Sequence, residues 1–311
     1  MNIMISINDK FLNIAKVMLF SLFSNNSDAM DVYLICHNLS ENTVYELKKV
    51  FGMFEGKRLF VMELGDVAEN DIPLYVAYSP EILYKMLGIG ILPDNLHKIL
   101  WLDADMIIKG SLRELYYTNI DNAPMAVCED INAIINSEAE DFKRRCGIPE
   151  DGKYFNAGMC LFNLDYLRSH NIVGVFKDVI NQRHKDYYFL EQDALNSMLF
   201  DDVVWVPWSL YNVHPSYFAL SVDDIADGRI RIASYKEINE QRQHEDYSSR
   251  YVDITKYIKG RSKIIHYIGL SKPWREDSSD MYWTQAEFKD IWLDYEKRLQ
   301  MCLSNKLMQS C

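Results

Sequence analysis

The stretch that decides the fold is Lys98-Ile99-Leu100-Trp101-Leu102-Asp103-Ala104-Asp105-Met106-Ile107-Ile108, which sets two carboxylates inside an apolar run. The residues from Ile99 to Leu102 predict a buried strand, because a short apolar run is typical of a strand covered on both faces. Residues two apart in an extended chain point to the same side, so Asp103 and Asp105 can meet at the carboxyl end of that strand. Open α/β sheets bind their ligands at this edge.

Two carboxylates in apolar surroundings predict a bound cation. A buried charge is costly unless it is paired or coordinates a metal. Carboxylate oxygens suit Mg²⁺ or Mn²⁺, ions that commonly carry substrate phosphates. Taken alone, the pair also fits the alternative interpretation of two acids in a turn.

The composition is that of an acidic globular protein. The 311 residues carry a formal net charge of -12, which argues against nucleic acid as a partner. An anionic substrate then requires a local positive site or a metal. The six cysteines include no Cys-x-x-Cys pair and no zinc spacing. Without a recognisable signal peptide or membrane-spanning run, we expect a cytoplasmic protein, and peripheral attachment to the inner membrane stays open.

Strands and helices alternate along the first half of the chain. Apolar runs predict strands at 1–7, 31–36, 58–64 and 99–102, with helices at 11–24 and 41–51 between them. This alternation predicts an α/β fold with a mostly parallel central sheet flanked by helices. We expect a catalytic domain over 1–275 and a C-terminal helical extension over 276–311, which contains an amphipathic helix at about 284–303.

Three further motifs follow, and each has a plain structural interpretation when taken alone. They are Tyr154-Phe155-Asn156-Ala157-Gly158 with an apolar tail to Asn163, Glu191-Gln192-Asp193-Ala194-Leu195-Asn196, and His266-Tyr267-Ile268-Gly269-Leu270-Ser271-Lys272-Pro273-Trp274. The first joins a small-residue turn to a strand, and the second starts a helix whose acids favour the helix dipole. A lone histidine on an apolar strand is more often a core residue than a ligand, and Lys272 alone is more often a solvated charge.

Together with Asp103-x-Asp105, in this order, the motifs resemble the retaining glycosyltransferases of family 8, the group that contains bacterial lipooligosaccharide galactosyltransferases and glycogenin. The resemblance covers residues 1 to about 275 and implies a single glycosyltransferase-A-type α/β domain that uses a UDP-hexose donor. It implies that Asp103, Asp105 and His266 bind Mn²⁺ (or Mg²⁺), and two carboxylates with one imidazole suit such an ion. It also implies that Lys272 and the Gly269 backbone hold the diphosphate.

The resemblance also implies which residues meet the sugars. Asn156 and Gln192 would line the donor sugar and Asp130 would lie near the acceptor, with further substrate contacts from Ala104, Ala157 and Gly158. A covalent route to retention needs a carboxylate nucleophile, and the amide of Gln192 is a poor one. Same-face attack through an oxocarbenium-like ion pair is therefore simpler, although the carboxylates of Glu191 and Asp193 leave a covalent route open.

Four positions depart from the family pattern at the donor site. Asn8 stands where the family often has Asp against the uracil, and Lys10 stands where Asn is common. Lys85 replaces a common Arg, which keeps the charge but loses the bidentate fork. Glu191 replaces a frequent Asp. These changes concern nucleoside contacts and sugar identity and leave the metal ligands intact.

Two other functions compete with the transferase. A haloacid-dehalogenase-type phosphohydrolase also places Asp-x-Asp after a buried strand, but Ile107 stands where Thr or Val is usual. A non-catalytic UDP-sugar-binding partner protein would keep the same site without turnover. The acceptor of a transferase is open among glycan, lipid-linked and protein hydroxyls, and we expect segments 131–153 and 220–260 to select it, because loops on a rigid scaffold carry such variation.

Overall fold

The computed structural model describes residues 1–65, 80–130, 139–214, 259–269, 272–275 and 283–309. The strands in these ranges are β1 (Asn2–Ser6), β2 (Met30–Cys36), β3 (Lys57–Glu63), β4 (Lys98–Leu102), β5 (Met106–Ile108), β6 (Met125–Glu129), β7 (Phe155–Asn163), β8 (Val204–Val206) and β9 (Ile264–His266). The helices are α1 (Leu12–Ser24), α2 (Glu41–Phe51), α3 (Tyr84–Ile89), α4 (Arg113–Tyr116), α5 (Ala139–Cys146), α6 (Leu164–Ser169), α7 (Ile172–Arg183), α8 (Leu190–Leu199), α9 (Trp208–Tyr211) and α10 (Trp283–Gln309).

Seven of the strands form one sheet in the order β3-β2-β1-β4-β7-β6-β8. The pairings from β3 through β4 are parallel, as is that of β6 with β8, whereas β7 runs antiparallel to both its neighbours. The prediction of a mostly parallel sheet flanked by helices is confirmed. Every residue of β7 is buried, as expected for a strand in the middle of a sheet that is covered on both faces.

The antiparallel direction of β7 places its beginning beside the end of β4. Leu102 pairs with Met159, and the Asp103 backbone N–H donates to the Gly158 carbonyl at 2.9 Å. The Asp-x-Asp turn and the small-residue turn of the second motif therefore lie at the same edge of the sheet.

A second, two-stranded sheet brings the last motif to this edge. Strand β5 pairs antiparallel with β9, and Met106 lies opposite His266. The Tyr267 backbone N–H donates to the Asp105 carbonyl at 2.9 Å. This pairing is long-range in sequence and joins the two halves of the site.

Local signals explain several element boundaries. The Ser40 hydroxyl accepts the Thr43 backbone N–H at 3.2 Å at the start of α2, as its position predicts, and Gly52 ends that helix. The helix that carries Lys85 opens with a 3-10 turn at Pro80–Leu83 and becomes α-helical at Tyr84.

The C-terminal helix α10 is longer than the amphipathic pattern predicts. Its buried face belongs to the same hydrophobic cluster as α1 and β5, and Trp292 packs against Tyr267 and Trp274 with ring centroids 5.4 and 4.5 Å away. The boundary at 275 stays a prediction.

The expected acceptor segments lie largely outside the described residues. Of 131–153, residues 139–153 are described and include α5, whereas nearly all of 220–260 is outside. Among the helices that the structure describes, none is both long and apolar enough to cross a bilayer.

Candidate active site

Asp103, Asp105 and His266 converge at the carboxyl edge of β4, and one ligand atom from each lies within 4.8 Å of the others. His266 Nε2 is 3.1 Å from Asp105 Oδ1 and 3.6 Å from Asp103 Oδ2. The Trp101 indole N–H donates to the other oxygen of Asp103 at 2.7 Å, which orients that carboxylate. Two carboxylate oxygens and an imidazole nitrogen at one point form a donor set that fits a divalent ion such as Mn²⁺.

Gly158 is what allows these ligands to approach the sheet so closely. A Cβ atom at this position would lie 2.2 Å from His266 Cε1 and 2.8 Å from Asp103 Oδ2. Real Cβ atoms do not approach other heavy atoms at such distances, so any side chain would displace the ligands. The backbone of the second motif thus forms the floor of the candidate metal site.

Lys272 supplies a positive charge next to the same carboxylates. Its Nζ lies 2.7 Å from Asp105 Oδ2 and 2.5 Å from the Tyr267 carbonyl oxygen. Burial would raise the pKa of Asp105, but the charges of Lys272 and His266 outweigh this effect and hold the pKa below its usual range. Burial raises the pKa of Asp103, although Lys85 and His266 oppose it. Gly269, three positions before Lys272 in the sequence, has a φ of +89°, which favours glycine.

Asp103, Asp105 and His266 line a cleft of about 390 Å³. The metal candidates and Gly269 lie in its wall together with Ala104, Ala157 and Gln192. A cleft of this size, apolar in part and with a few convergent polar groups, is typical of a small-molecule site.

Both the oxygen and the nitrogen of the Gln192 amide are hydrogen-bonded to residues in or behind the cleft wall. Its Oε1 accepts the Ala157 backbone N–H at 2.9 Å and Asn156 Nδ2 at 3.1 Å. Its Nε2 donates to Asp130 Oδ2 at 2.9 Å and to the Tyr154 hydroxyl at 3.2 Å. The amide is therefore held in one orientation.

Glu191 is buried in the cleft wall and paired with Lys85. Lys85 Nζ lies 2.9 and 3.2 Å from the two Glu191 oxygens and 4.9 Å from the centre of the Trp101 ring. Burial raises the pKa of Glu191 to about 7, although Lys85 opposes the shift. Burial would lower the pKa of Lys85, but Glu191 and Asp103 outweigh it and raise that pKa.

The structure does not bring Asp193 into the cleft wall. It is 1% exposed and lies behind Gln192, where its Oδ2 accepts the backbone N–H groups of Tyr188 and Phe189 at 2.6 and 2.7 Å. Its other oxygen accepts the Tyr154 hydroxyl. These contacts anchor the turn that leads into α8.

Asp130 likewise lies beneath the cleft wall. It is 5% exposed, and its Oδ2 accepts Asn156 Nδ2 at 3.0 Å as well as the Gln192 amide. Of the three residues implied for the donor sugar and the acceptor, Asn156 and Gln192 thus line the cleft, and Asp130 lies behind them.

Another part of the cleft wall is formed by residues that follow β1 in the sequence. Asn8 lies in the wall and donates to Glu81 Oε1 at 2.9 Å, and its side-chain oxygen accepts the Lys10 backbone N–H at 3.1 Å. The Lys10 side chain is exposed and does not line the cleft. Glu81 therefore supplies a carboxylate close to the place where the family often has Asp.

Three residues of this site were assigned no role from the sequence. Glu81 lines the cleft, Tyr154 contacts both Gln192 and Asp193, and Asn212 joins Asn156 to His266. Tyr154 belongs to one of the motifs, and its hydroxyl is the signal that could have marked it as a partner of Gln192. Asn212 lies in an unremarkable stretch between an apolar helix and a valine, and no sequence signal marks it.

Comparisons with known proteins agree with this geometry. The model of the family described as glycosyl transferase family 8 matches residues 2–278. A lipopolysaccharide 1,2-glucosyltransferase of Escherichia coli is 27% identical over 207 residues, which are 66% of this chain and 52% of that protein. A second one, from Escherichia coli strain K12, is 21% identical over 278 residues, which are 89% of this chain and 73% of that protein. The chain thus spans about half the length of the first of these relatives.

A solved structure shows the same fold. The crystal structure of the galactosyltransferase LgtC in complex with donor and acceptor sugar analogs matches with a TM-score of 0.68, 20% identity and coverage of 96% of each chain. This likeness confirms the glycosyltransferase-A-type α/β fold. The family match across almost the whole chain rules out the haloacid-dehalogenase alternative. The chain therefore belongs to glycosyl transferase family 8, the family of retaining glycosyltransferases that its motifs resemble.

Proposed function

We propose that this protein is a metal-dependent hexosyltransferase that moves glucose or galactose, with retention, from a UDP-sugar to the hydroxyl group of a glycan. The observation that carries the proposal is the convergence of Asp103, Asp105 and His266 in the wall of the same cleft as Gln192. The site thus offers a place for a cation with the donor diphosphate and, beside it, a polar pocket for the sugar.

The positive charges at the candidate metal site support binding of the donor diphosphate there. Mn²⁺ held by the two carboxylates and the imidazole would neutralise the phosphates and stabilise the departing UDP. Lys272, 2.7 Å from Asp105, adds a cation at the same place, where negative charge builds on the leaving oxygen.

The positions of the acids Glu191 and Asp193 support one mechanism of retention at the donor sugar. Glu191 forms an ion pair with Lys85 and offers no free carboxylate to the cleft in this pairing, and both oxygens of Asp193 accept from donors behind the cleft wall. Gln192 is the residue of this motif that presents a polar side chain free of charge to the cleft. This arrangement favours same-face attack through an oxocarbenium-like ion pair over a covalent glycosyl-enzyme, with the leaving phosphate oxygen accepting the proton of the acceptor hydroxyl.

The names of two relatives support one class of acceptor. Two of them are named lipopolysaccharide 1,2-glucosyltransferases, which favours a bacterial cell-envelope glycan as the acceptor and glucose as the donor sugar. Lipid-linked and protein hydroxyls are the competing acceptor classes. A peripheral position at the inner face of the membrane would suit a lipid-linked glycan.

The test is calorimetric titration of UDP with and without Mn²⁺. We expect the wild type to bind UDP only with the metal and the double variant Asp103→Asn/Asp105→Asn to lose this binding. The control variant Asp201→Asn/Asp202→Asn also neutralises two acids, but these are consecutive residues on an exposed turn. It should bind UDP like the wild type. Equal metal-free binding in all three proteins would overturn the proposal.

Turnover separates an enzyme from a non-catalytic binding protein. With Mn²⁺ present, we expect slow hydrolysis of UDP-glucose or UDP-galactose and faster release of UDP when an envelope glycan is added. Tight UDP binding without hydrolysis or transfer in any acceptor screen would favour the binding-protein alternative.

A further inference from the structure

Asn212 is a buried amide between the candidate metal site and the sugar end of the cleft. It is 2% exposed and follows helix α9. Its Nδ2 donates to Asn156 Oδ1 at 2.9 Å, and its Oδ1 lies 2.8 Å from His266 Nδ1. It therefore touches one candidate metal ligand and one residue of the sugar pocket.

The orientation of the Asn156 amide follows from partners whose roles cannot change. The Gly158 backbone N–H can only donate, and it lies 2.9 Å from Asn156 Oδ1. The Asp130 carboxylate accepts Asn156 Nδ2 at 3.0 Å on the other side. Asn156 must consequently present an oxygen to Asn212.

The orientation of Asn212 and the proton on His266 follow in turn. Asn212 has to direct Nδ2 at Asn156, because two amide oxygens would otherwise face each other. Its oxygen then faces His266 Nδ1, which must carry the hydrogen and donate it. The other ring nitrogen, Nε2, is the one that faces Asp105 and Asp103.

The backbone holds Asn212 in register with His266. The Val213 N–H donates to the Ile264 carbonyl at 3.1 Å, and the His266 N–H donates to the Val213 carbonyl at 2.9 Å. The Asn212 N–H is taken by the Trp208 carbonyl at 2.9 Å. Its side chain is thus placed by main-chain bonds on both sides and does not depend on a loop.

We propose that Asn212 is a positioning residue that holds His266 with its Nε2 toward a divalent cation and, through Asn156, ties the metal site to the sugar pocket. The inference rests on the proposed function and names a residue that the family motifs leave out. Metal-binding histidines commonly donate their second ring N–H to an acceptor, and loss of that acceptor costs about 10–100-fold in metal affinity or activity.

Two substitutions separate the two contacts of Asn212. Asn212→Leu removes both, so we expect Mn²⁺ affinity to fall about 10–100-fold. Asn212→Asp keeps an oxygen for His266 but sets a carboxylate oxygen against Asn156 Oδ1. We expect this variant to retain Mn²⁺ affinity within a few-fold of wild type while its kcat falls and its KM for the donor changes little.

Each protein is titrated with Mn²⁺ alone, and the free ion is measured by its electron paramagnetic resonance signal. The titration is then repeated with UDP present. Asn26→Leu is the matched control, because Asn26 is also a buried amide with bonds to both its oxygen and nitrogen but lies away from the cleft. It should lose thermal stability without losing Mn²⁺ affinity.

Three outcomes would count against the proposal in distinguishable ways. Wild-type Mn²⁺ affinity in Asn212→Leu would overturn the inference and leave the proposed function intact. An equal loss of Mn²⁺ affinity in Asn212→Asp and Asn212→Leu would do the same, because it would mean that the acceptor oxygen does not matter. Failure of the wild type to bind Mn²⁺, with or without UDP, would overturn the inference and the proposed function together.

Discussion

At the scale of single residues, the site depends on the absence of a side chain as much as on the ligands. Gly158→Ala would place a methyl group 2.2 Å from His266 Cε1 without changing any charge. We expect Mn²⁺ affinity to fall by roughly tenfold or more, comparable to loss of a supporting contact of a metal ligand. Titration with Mn²⁺ measures the effect.

Gly260→Ala is the control for that substitution. Gly260 has open space where the methyl group of an alanine would lie, so this variant adds the same group without a contact. Unchanged Mn²⁺ affinity in Gly158→Ala would mean that His266 can move aside and that the close approach is not required.

Glu191 makes stability depend on pH in a predictable direction. Burial raises its pKa to about 7 from an ordinary value of 4.5, so between these values the folded protein binds more protons than the unfolded chain. The contribution of this protonation to the free energy of unfolding is fully present below the unfolded-state pKa and is lost as the pH rises through 7. The Lys85 partner lessens this loss by retaining its charge in the same range.

The measurement is the free energy of unfolding of wild type and Glu191→Gln from pH 4.5 to 8. We expect the wild type to lose stability relative to the variant over this range, by on the order of 1–3 kcal/mol. A constant difference would show that Glu191 is ionised throughout, as part of an ion pair that Lys85 fully stabilises.

At the scale of elements, the turn into α8 is held by a carboxylate that the sequence suggested for catalysis. Tyr154→Phe removes the hydroxyl that donates to Asp193 and accepts from Gln192. We expect kcat to fall with little change in KM for the donor, because Gln192 loses one of the partners that fix its amide. Stability should fall by about 1–3 kcal/mol, since a buried acceptor loses its donor.

Tyr187→Phe provides the comparison for this element. Tyr187 is also buried and bonds Ser197 at 2.9 Å, but it does not contact Gln192. The loss of its hydroxyl should lower stability and leave kcat unchanged. If both variants lowered kcat equally, the effect would belong to the helix as a whole and not to the orientation of the amide.

At the scale of the whole molecule, the C-terminal helix α10 packs against residues on both sides of Lys272, at the end of the cleft that we propose for the donor diphosphate. Trp292 is 1% exposed and packs on Tyr267 and Trp274, which flank Lys272. Trp292→Ala should cost about 3–5 kcal/mol of stability and weaken UDP binding in the presence of Mn²⁺. Thermal unfolding and calorimetry measure the two effects.

The neighbouring Leu293 gives a matched control, because its side chain is 42% exposed on the other face of α10. Leu293→Ala should change neither measurement appreciably. If Trp292→Ala bound UDP as tightly as the wild type, helix α10 would not be required for UDP binding. That result would support the prediction that 276–311 is an extension of the catalytic domain.

The sequence was sufficient to predict the alternation of strands and helices and to name candidate site residues, three of which the structure brings together as a possible metal site. The apolar run before Asp103 marks a buried strand, the Ser40 cap marks a helix start, and the four motifs mark the family, because strand burial, capping and ligand chemistry are properties of short segments. The sequence therefore determined the α/β fold, and the family that its motifs resemble indicated Asp103, Asp105 and His266 as candidate metal ligands.

Only the tertiary structure decided how these segments meet. The antiparallel direction of β7 places Gly158 beside Asp103, and the pairing of β5 with β9 places His266 beside Asp105. The same packing removes Asp193 from the cleft wall and introduces Asn212 behind His266. Strand direction and long-range pairing depend on contacts between residues far apart in the chain, so the spacing of a motif does not contain them.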